Sequence, residues 1–264
     1  MRATRGPFEH STPEVYDRYM GPLLFEPYAR VLGERAALLQ PDRILETAAG
    51  TGIVTRALHR AVPQAKITAT DINPVMLGVA AQNVRSACVS FQQADAQNLP
   101  FDAESFDLVV CQFGVMFYPD KVRAHREARR ILRSNGHYLV VSFDRLEHNP
   151  VPQAAGTAVA ALFPDDPPAY MERGPFSYAD PVLIERDLLA AGFTRIQLET
   201  VALTTRVIAS DAARGLVLGS PFRAEIEQRD SSGLDRAVDA VTLALARWDG
   251  HDAPMSAHVL TATK

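Results

Sequence analysis

Residues 44–71 constrain this chain more than any other stretch of its 264 residues. An apolar run, Ile44-Leu45-Glu46-Thr47, reads as a buried strand and meets a small-residue turn, Ala48-Ala49-Gly50-Thr51-Gly52, with a helix opening at Ile53. A second strand pattern, Lys66-Ile67-Thr68-Ala69-Thr70, ends on Asp71. Glycine and alanine let the main chain pass close to a ligand, and a helix start turns free N–H groups toward it. A carboxylate about twenty residues beyond the turn suits a pair of ribose hydroxyls, which donate to it. Such a unit reads as a nucleoside holder.

The alternation of strand and helix patterns continues, which predicts an α/β fold with a parallel sheet covered on both faces. Residues 88–94 form a third strand pattern closing on Asp95, and Phe106-Asp107-Leu108-Val109-Val110-Cys111-Gln112 a fourth, ending in a Phe113-Gly114 turn. Helical spacing over 121–133 runs through Val122, His125, Ala128 and Leu132 to a left-handed stop at Asn135-Gly136, and 137–143 is the fifth strand. Upstream, residues 22–40 place Phe25, Leu32 and Ala36 on one helical face, after an aromatic segment that includes Tyr16 and Tyr19. Downstream, 145–174 is proline-rich and reads as a cap, since Leu162, Phe163, Tyr170 and Met171 are costly to leave exposed. Asp180-Pro181 opens a helix that Gly192 ends, and 194–201 alternates as a half-exposed strand near a sheet edge. Residues 206–254 insert a helical region with an apolar stripe through Leu234, Val238, Val241, Leu245 and Trp248, before a last strand at 258–263.

Composition matters mainly for what it excludes. A net charge of −4 gives no electrostatic reason to expect a nucleic-acid partner; the one dense basic run is 123–133. No apolar run is long enough to cross a bilayer, and no signal-peptide core opens the chain, so a cytoplasmic protein is expected. Two cysteines, Cys88 and Cys111, are too few for a disulfide framework and read as reduced, buried thiols. The histidines are scattered and neither cysteine has a partner at metal-ligand spacing, so no metal is expected. No Gly-x-Ser-x-Gly elbow, phosphate-binding Gly-Lys-Ser/Thr sequence or His-Glu-x-x-His motif occurs.

The turn admits two nucleoside readings. A nicotinamide-dinucleotide site wants a third glycine three residues after Gly52, where this chain has Thr55. The other reading follows from Glu46-Thr47-Ala48-Ala49-Gly50-Thr51-Gly52, which resembles the acid-x-Gly-x-Gly-x-Gly signature of class I S-adenosylmethionine-dependent methyltransferases. Alanine stands for the first glycine, which argues against a strongly left-handed backbone at 48. Gln93-Ala94-Asp95-Ala96-Gln97-Asn98-Leu99-Pro100-Phe101 and Phe106-Asp107-Leu108-Val109 look like the family's central motifs, most similar to the ubiquinone/menaquinone-biosynthesis-like branch that alkylates small molecules. Residues 127–136 resemble the helix and turn before that family's fifth strand, and 176–193 its last helix. The resemblance covers most of 16–201 in order.

That resemblance implies a Rossmann-like, doubly wound, seven-stranded, mostly parallel sheet with an antiparallel edge strand and helical cap insertions. It implies one domain over 1–264: a helical or lid segment (1–40), a cofactor-binding core (41–144), a cap (145–175), and a C-terminal part (176–264) carrying the helical insertion 206–254. The cofactor would be S-adenosylmethionine. Ala48, Ala49, Gly50 and Gly52 would approach its methionine portion, Asp71 its ribose, and Ile72 its adenine. Asp95 would accept the adenine amine, the Ala96 N–H would donate to a ring nitrogen, and Gln112 would face the methionine end or the acceptor. Tyr19 would close over the site, and Glu46 would either touch the ligand or organise the turn through backbone N–H groups. Bland alternatives stand beside these: Asp71 as a helix cap with Asn73-Pro74, Asp95 as a turn acid, Tyr16 and Tyr19 as core aromatics, Trp248 as core packing, and Arg129 with Arg130 as a solvated helix face.

The implied reaction is in-line displacement at the cofactor's methyl carbon by a small organic acceptor. The protein then aligns the nucleophile and excludes water, and needs a base only where the acceptor sheds a proton. Candidates for that base are His10, Tyr118, Asp144 and His148. Two other classes remain open: an NAD(P)-binding oxidoreductase, and a non-catalytic or repurposed S-adenosylmethionine-binding protein.

Overall fold

The computed structural model describes residues 13–264. In chain order a short α1 (Pro13–Val15) enters a π-helical segment (Tyr16–Phe25) and α2 (Glu26–Leu39). The core follows as β1 (Arg43–Thr47), α3 (Ile53–Ala61), β2 (Lys66–Asp71), α4 (Pro74–Asn83), β3 (Val89–Gln93), β4 (Phe106–Gln112), α5 (Lys121–Ile131) and β5 (Leu132–Phe143). Then come α6 (Pro150–Ala160), α7 (Tyr170–Arg173), α8 (Pro181–Ala190), β6 (Arg195–Val207), α9 (Ala209–Leu218), α10 (Phe222–Arg229), α11 (Leu234–Leu245) and β7 (His251–Thr263).

The seven strands lie in the order β3-β2-β1-β4-β5-β7-β6. Strands β3, β2, β1, β4 and β5 are parallel, and β7 runs antiparallel to β5, between it and the edge strand β6. Strand order reverses at β1, which has β2 on one side and β4 on the other. In open parallel sheets that is where ligands bind, beyond the carboxyl ends of the strands. The small-residue turn leaves β1 at this point.

Local chemistry explains the elements. Leu108, Val109, Val110 and Cys111 are all but fully buried, as a central strand covered on both faces requires. Asn73 caps α4 by accepting from the Val75 and Met76 N–H groups, with Pro74 in the first turn. Asp180 does the same for α8 through the Val182 N–H. Covering is incomplete at β2 and β3, against expectation. Leu77 of α4 packs on Ala69 and Phe91, but the β3–β4 connection (94–105) holds no helix, and Lys66 and Ser90 are left exposed. Strands β5, β6 and β7 are longer than their apolar patterns suggest. Asn135 does turn left-handed at φ 65°, yet Phe106 already pairs with Leu132 across a register shift. Backbone pairing extends a strand past its hydrophobic run.

Residue contacts divide the chain into two compact units. One holds the sheet core: Tyr28–Phe143, Tyr178–Val201 and Ala257–Lys264. The other gathers the described part of Met1–Pro27 with Asp144–Ser177 and Ala202–Ser256, hence both regions read as insertions. Its core is helical: Ala237, Val241 and Leu245 of α11 are buried, with α11 packed on α9 and α6. Leu234, Val238 and Trp248 are only half-buried. Pro22 sits inside the π-helical segment, where its missing N–H interrupts the usual ladder.

Candidate functional site

The turn after β1 is left-handed three times, at Ala48 (φ 54°), Gly50 (φ 56°) and Gly52 (φ 84°). Ala48 therefore corrects the sequence expectation, because a side chain does not prevent the conformation here. It costs about 1–2 kcal/mol, which neighbouring hydrogen bonds hold in place: the Ala49 N–H donates to the Thr70 carbonyl and the Gly52 N–H to that of Ala49 (both 2.9 Å). The Ala48 methyl points at Gly114, where any side chain would overlap it. That contact accounts for glycine at 114, whose φ of −106° any residue could adopt; the left-handed member of that turn is Phe113 (φ 51°). Outward from Gly50, no described atom lies within 4 Å of where a Cβ would stand. The turn is thus open outward from Gly50.

Asp71 fastens the tip of β2 to this turn. Its Oδ2 accepts the Gly50 N–H (2.9 Å) and its Oδ1 the Asn73 N–H (2.8 Å). Burial pushes its carboxyl up, opposed by these N–H groups. The α4 cap belongs to Asn73, so Asp71 is not spent on it. The Ile72 N–H is a third donor to this carboxylate, which still keeps acceptor capacity for a ribose hydroxyl. Ile72 beside it is 38% exposed, unusual for isoleucine at a strand end. Asp95 accepts from the Gln97 N–H (2.8 Å) through Oδ1, as a turn acid does, while Oδ2 has only a 3.5 Å approach from Gln97 Nε2. The Ala96 N–H makes no hydrogen bond among the described residues.

Helix α5 holds the loop that carries Asp95 and Ala96. The Asp120 N–H donates to Gln97 Oε1 (2.9 Å), and Arg123 Nε to the Gln97 carbonyl (2.8 Å). Glu127 accepts the Leu99 N–H, and Arg130 donates to the carbonyls of Leu99 and Phe101 while pairing with Glu127. Arg130 is therefore no solvated helix face. The Arg130 hydrogen bond holds the Glu127 carboxyl below its usual range.

Glu46 is 2% exposed, and its Oε2 accepts a 2.6 Å hydrogen bond from Thr55 Oγ1. Burial pushes its carboxyl up to about 8, with the Thr55 bond opposing the rise. Glu46 thus anchors the first turn of α3. Thr55, the residue standing where a dinucleotide site has glycine, is its partner. Gln112 ends β4, half-buried and in register with Val141.

Comparison with known proteins agrees with this geometry. A methyltransferase-domain family model matches residues 45–140. The chain is 30% identical over 177 residues to the ubiquinone/menaquinone biosynthesis C-methyltransferase UbiE of Pseudomonas aeruginosa, covering 62% of this chain and 69% of that protein. The chain belongs to the UbiE-like branch of the class I S-adenosylmethionine-dependent methyltransferases. It is also 36% identical over 103 residues to a demethylmenaquinone methyltransferase of Thermotoga maritima, spanning 39% of this chain and only 44% of that relative. Among solved structures, a Haemonchus contortus phosphoethanolamine N-methyltransferase in complex with S-adenosylhomocysteine shares the fold, with a TM-score of 0.61 at 18% identity over 96% of this chain and 56% of that one.

For a member of this family, the sheet-bearing unit gathers Glu46, Ala48, Ala49, Gly50, Gly52, Asp71, Ile72, Asp95, Ala96 and Gln112 at the carboxyl ends of β1 to β4. Tyr118 also lies in this unit. Its hydroxyl donates to Thr47 Oγ1 (3.3 Å) and lies 3.4 Å from Cys111 Sγ, and burial pushes the phenol well above its ordinary value. It is held protonated. The other unit contains Tyr19, half-exposed in the π-helical segment with its Cβ against Gly215, together with Asp144 and His148. Asp144 is buried and accepts from Ser256 Oγ (2.8 Å), the Arg145 N–H (2.7 Å) and His148 Nδ1 (2.7 Å). Asn149 braces the cluster by exchanging hydrogen bonds with the Ser256 backbone. His10 lies outside the described residues. Sequence reasoning gave Asn73 only as a helper to an Asp71 cap and Arg130 only as a solvated face, and it did not single out Thr55's role, Gly114's contact or the grip of α5 on the loop. Of the latter, only Thr55 and Gly114 left a signal, as a motif mismatch and a turn glycine.

Proposed function

We propose that this chain binds S-adenosylmethionine at the carboxyl ends of β1 to β3 and transfers its methyl group to a small organic acceptor. The observation that carries this reading is the Asp71 carboxylate, held by the Gly50 and Asn73 N–H groups at the rim of an outwardly open left-handed turn. The residues fit the cofactor: Asp71 keeps lone pairs for a ribose diol, Ile72 offers an apolar edge to adenine, and Asp95 Oδ2 and the Ala96 N–H suit the adenine amine and a ring nitrogen. When bound, S-adenosylmethionine supplies a methyl group already activated on a sulfonium for in-line displacement. The chain's own task is to orient the nucleophile and keep water out.

Where the acceptor must shed a proton a base is needed, and of the candidates named from the sequence His148 has its ring fixed by a carboxylate. Asp144 fixes Nδ1 and leaves Nε2 as the nitrogen that accepts. Tyr118 is committed to Thr47, and Asp144 to its three donors. Quinone precursors head the acceptor classes, because the Pseudomonas relative is a ubiquinone/menaquinone C-methyltransferase; other phenols and amines follow. No helix among the described residues is long and apolar enough to cross a membrane. We infer a cytoplasmic enzyme without a nucleic-acid partner. Family membership leaves the nicotinamide reading without support.

Thermal melting with S-adenosylmethionine and S-adenosylhomocysteine tests the proposal. Both should raise the melting temperature, and Asp71→Ala should abolish the shift. Folded wild-type protein that binds neither ligand overturns the reading, as does a full shift in the variant. Binding without methyl transfer to any acceptor class points instead to the repurposed alternative.

A further inference from the structure

We propose that a hollow at the amino ends of β1 to β4, the pole of the sheet opposite the glycine turn, is a second ligand site for a phosphate-bearing small molecule. The hollow is half-open, has a volume of about 400 Å³ and is lined by Arg43, Lys66, Thr68, Cys88, Ser90 and Phe106 among others. That volume lies within the usual range of small-molecule sites.

Its charge distribution selects the ligand. Arg43 and Lys66 are direct cross-strand partners in the β1–β2 register. Like charges in facing positions repel, and neither side chain has an ion pair among the described residues. The adjacent carboxylate, Asp107, is committed elsewhere: it accepts the Asp42 and Arg43 N–H groups and pairs with Arg133. Two uncompensated cations side by side favour a dianion over a monoanion. Ser90 Oγ donates to Thr68 Oγ1 (3.3 Å) on the same strand face, which leaves the Thr68 hydroxyl proton for an anion. Phe106 is buried at the edge of the hollow, with the Arg43 guanidinium 5.4 Å from its ring centre. The site exists because no helix follows β3, so this polar face is not packed over.

Cys88 makes the proposal measurable, because it lines the hollow half-exposed while Cys111 is fully buried. A neutral maleimide should label Cys88 in the full chain, read by mass spectrometry with Cys111 as internal control. Phenyl phosphate should slow that labelling about tenfold at ten times its dissociation constant, and phenol should not. In Arg43→Gln/Lys66→Gln the protection should vanish while the protein stays folded and still responds to S-adenosylmethionine. Inorganic phosphate as potent as phenyl phosphate assigns the site to free phosphate, and a weaker effect assigns it to an organic ester; either supports the site. No slowing by either phosphate, equal slowing by phenol, or protection that persists in the double variant overturns it. None of the labelling outcomes depends on the methyl-transfer reading.

Discussion

Glu46 shows how one buried side chain can brace the start of a helix beside a turn. Its carboxyl is out of water with Thr55 as its side-chain donor, and burial lifts it from 4.5 to about 8. A folded-state value above the unfolded one means its contribution to stability is complete below about 4.5 and is lost as pH rises through about 8. Glu46→Gln keeps an acceptor for Thr55 and removes the charge. Urea unfolding should find the variant near wild type at pH 5, and more stable by a few kcal/mol above pH 8. A difference that does not change with pH would contradict the assignment. Thr55 belongs to the same device, which is why a residue that breaks the dinucleotide pattern is at home here.

The turn between β1 and α3 and the turn after β4 form one packed object. Ala48 is left-handed and its methyl occupies the space a side chain at 114 would need. Gly114→Ala should therefore be strongly destabilising. In an Ala48→Gly background much of the penalty should disappear, although Cys111 Sγ would still lie 3.2 Å from the new methyl. A double-mutant cycle by chemical denaturation should give a coupling on the order of 1–3 kcal/mol. Additive effects would show that the two turns do not share this space. Helix α5 has a comparable role for the loop after β3, since Glu127 and Arg130 clamp Leu99 and Phe101 behind Asp95.

Two buried groups shape how the sheet-bearing unit responds to pH. His125 on α5 is fully buried beside the Tyr138 ring, and burial pushes its imidazole from 6.5 down to about 4. Asp187 opposes that shift and Lys121 adds to it. The folded value lies below the unfolded one, so this stability is complete above about 6.5 and is lost as pH falls to about 4. Glu46 has the opposite slope above 4.5. Between about 4.5 and 6.5 the two proton balances cancel, and from these groups stability should be level there and decline on either side. His125→Phe should tilt the level stretch so that stability falls with pH throughout, as measured by unfolding across that window. A profile unchanged by the substitution would place His125 in contact with water.

Much of the fold is legible in the residues alone, because parallel strands buried on both faces must be apolar runs and helices must carry caps and stops. The starts of α3, β2, β4 and α8 follow from Ile53, Lys66, Phe106 and Asp180, and β1 begins one residue before Ile44. The motif acids Asp71 and Asp95 are legible for the same reason: each closes a strand pattern. The lengths of β5, β6 and β7 are not, since backbone pairing with a neighbouring strand can extend through polar residues. Nor does local pattern reveal Ala48's left-handed backbone, Arg130's grip on the loop, or the missing cover over Lys66 and Ser90. Those depend on contacts between residues far apart in the chain: Ala48 with Gly114, Arg130 with Phe101, Thr68 with Ser90. Local chemistry determines which elements form and which residues end them. Only tertiary packing decides which strained conformation is tolerated, which polar group is engaged, and which face of the sheet remains open.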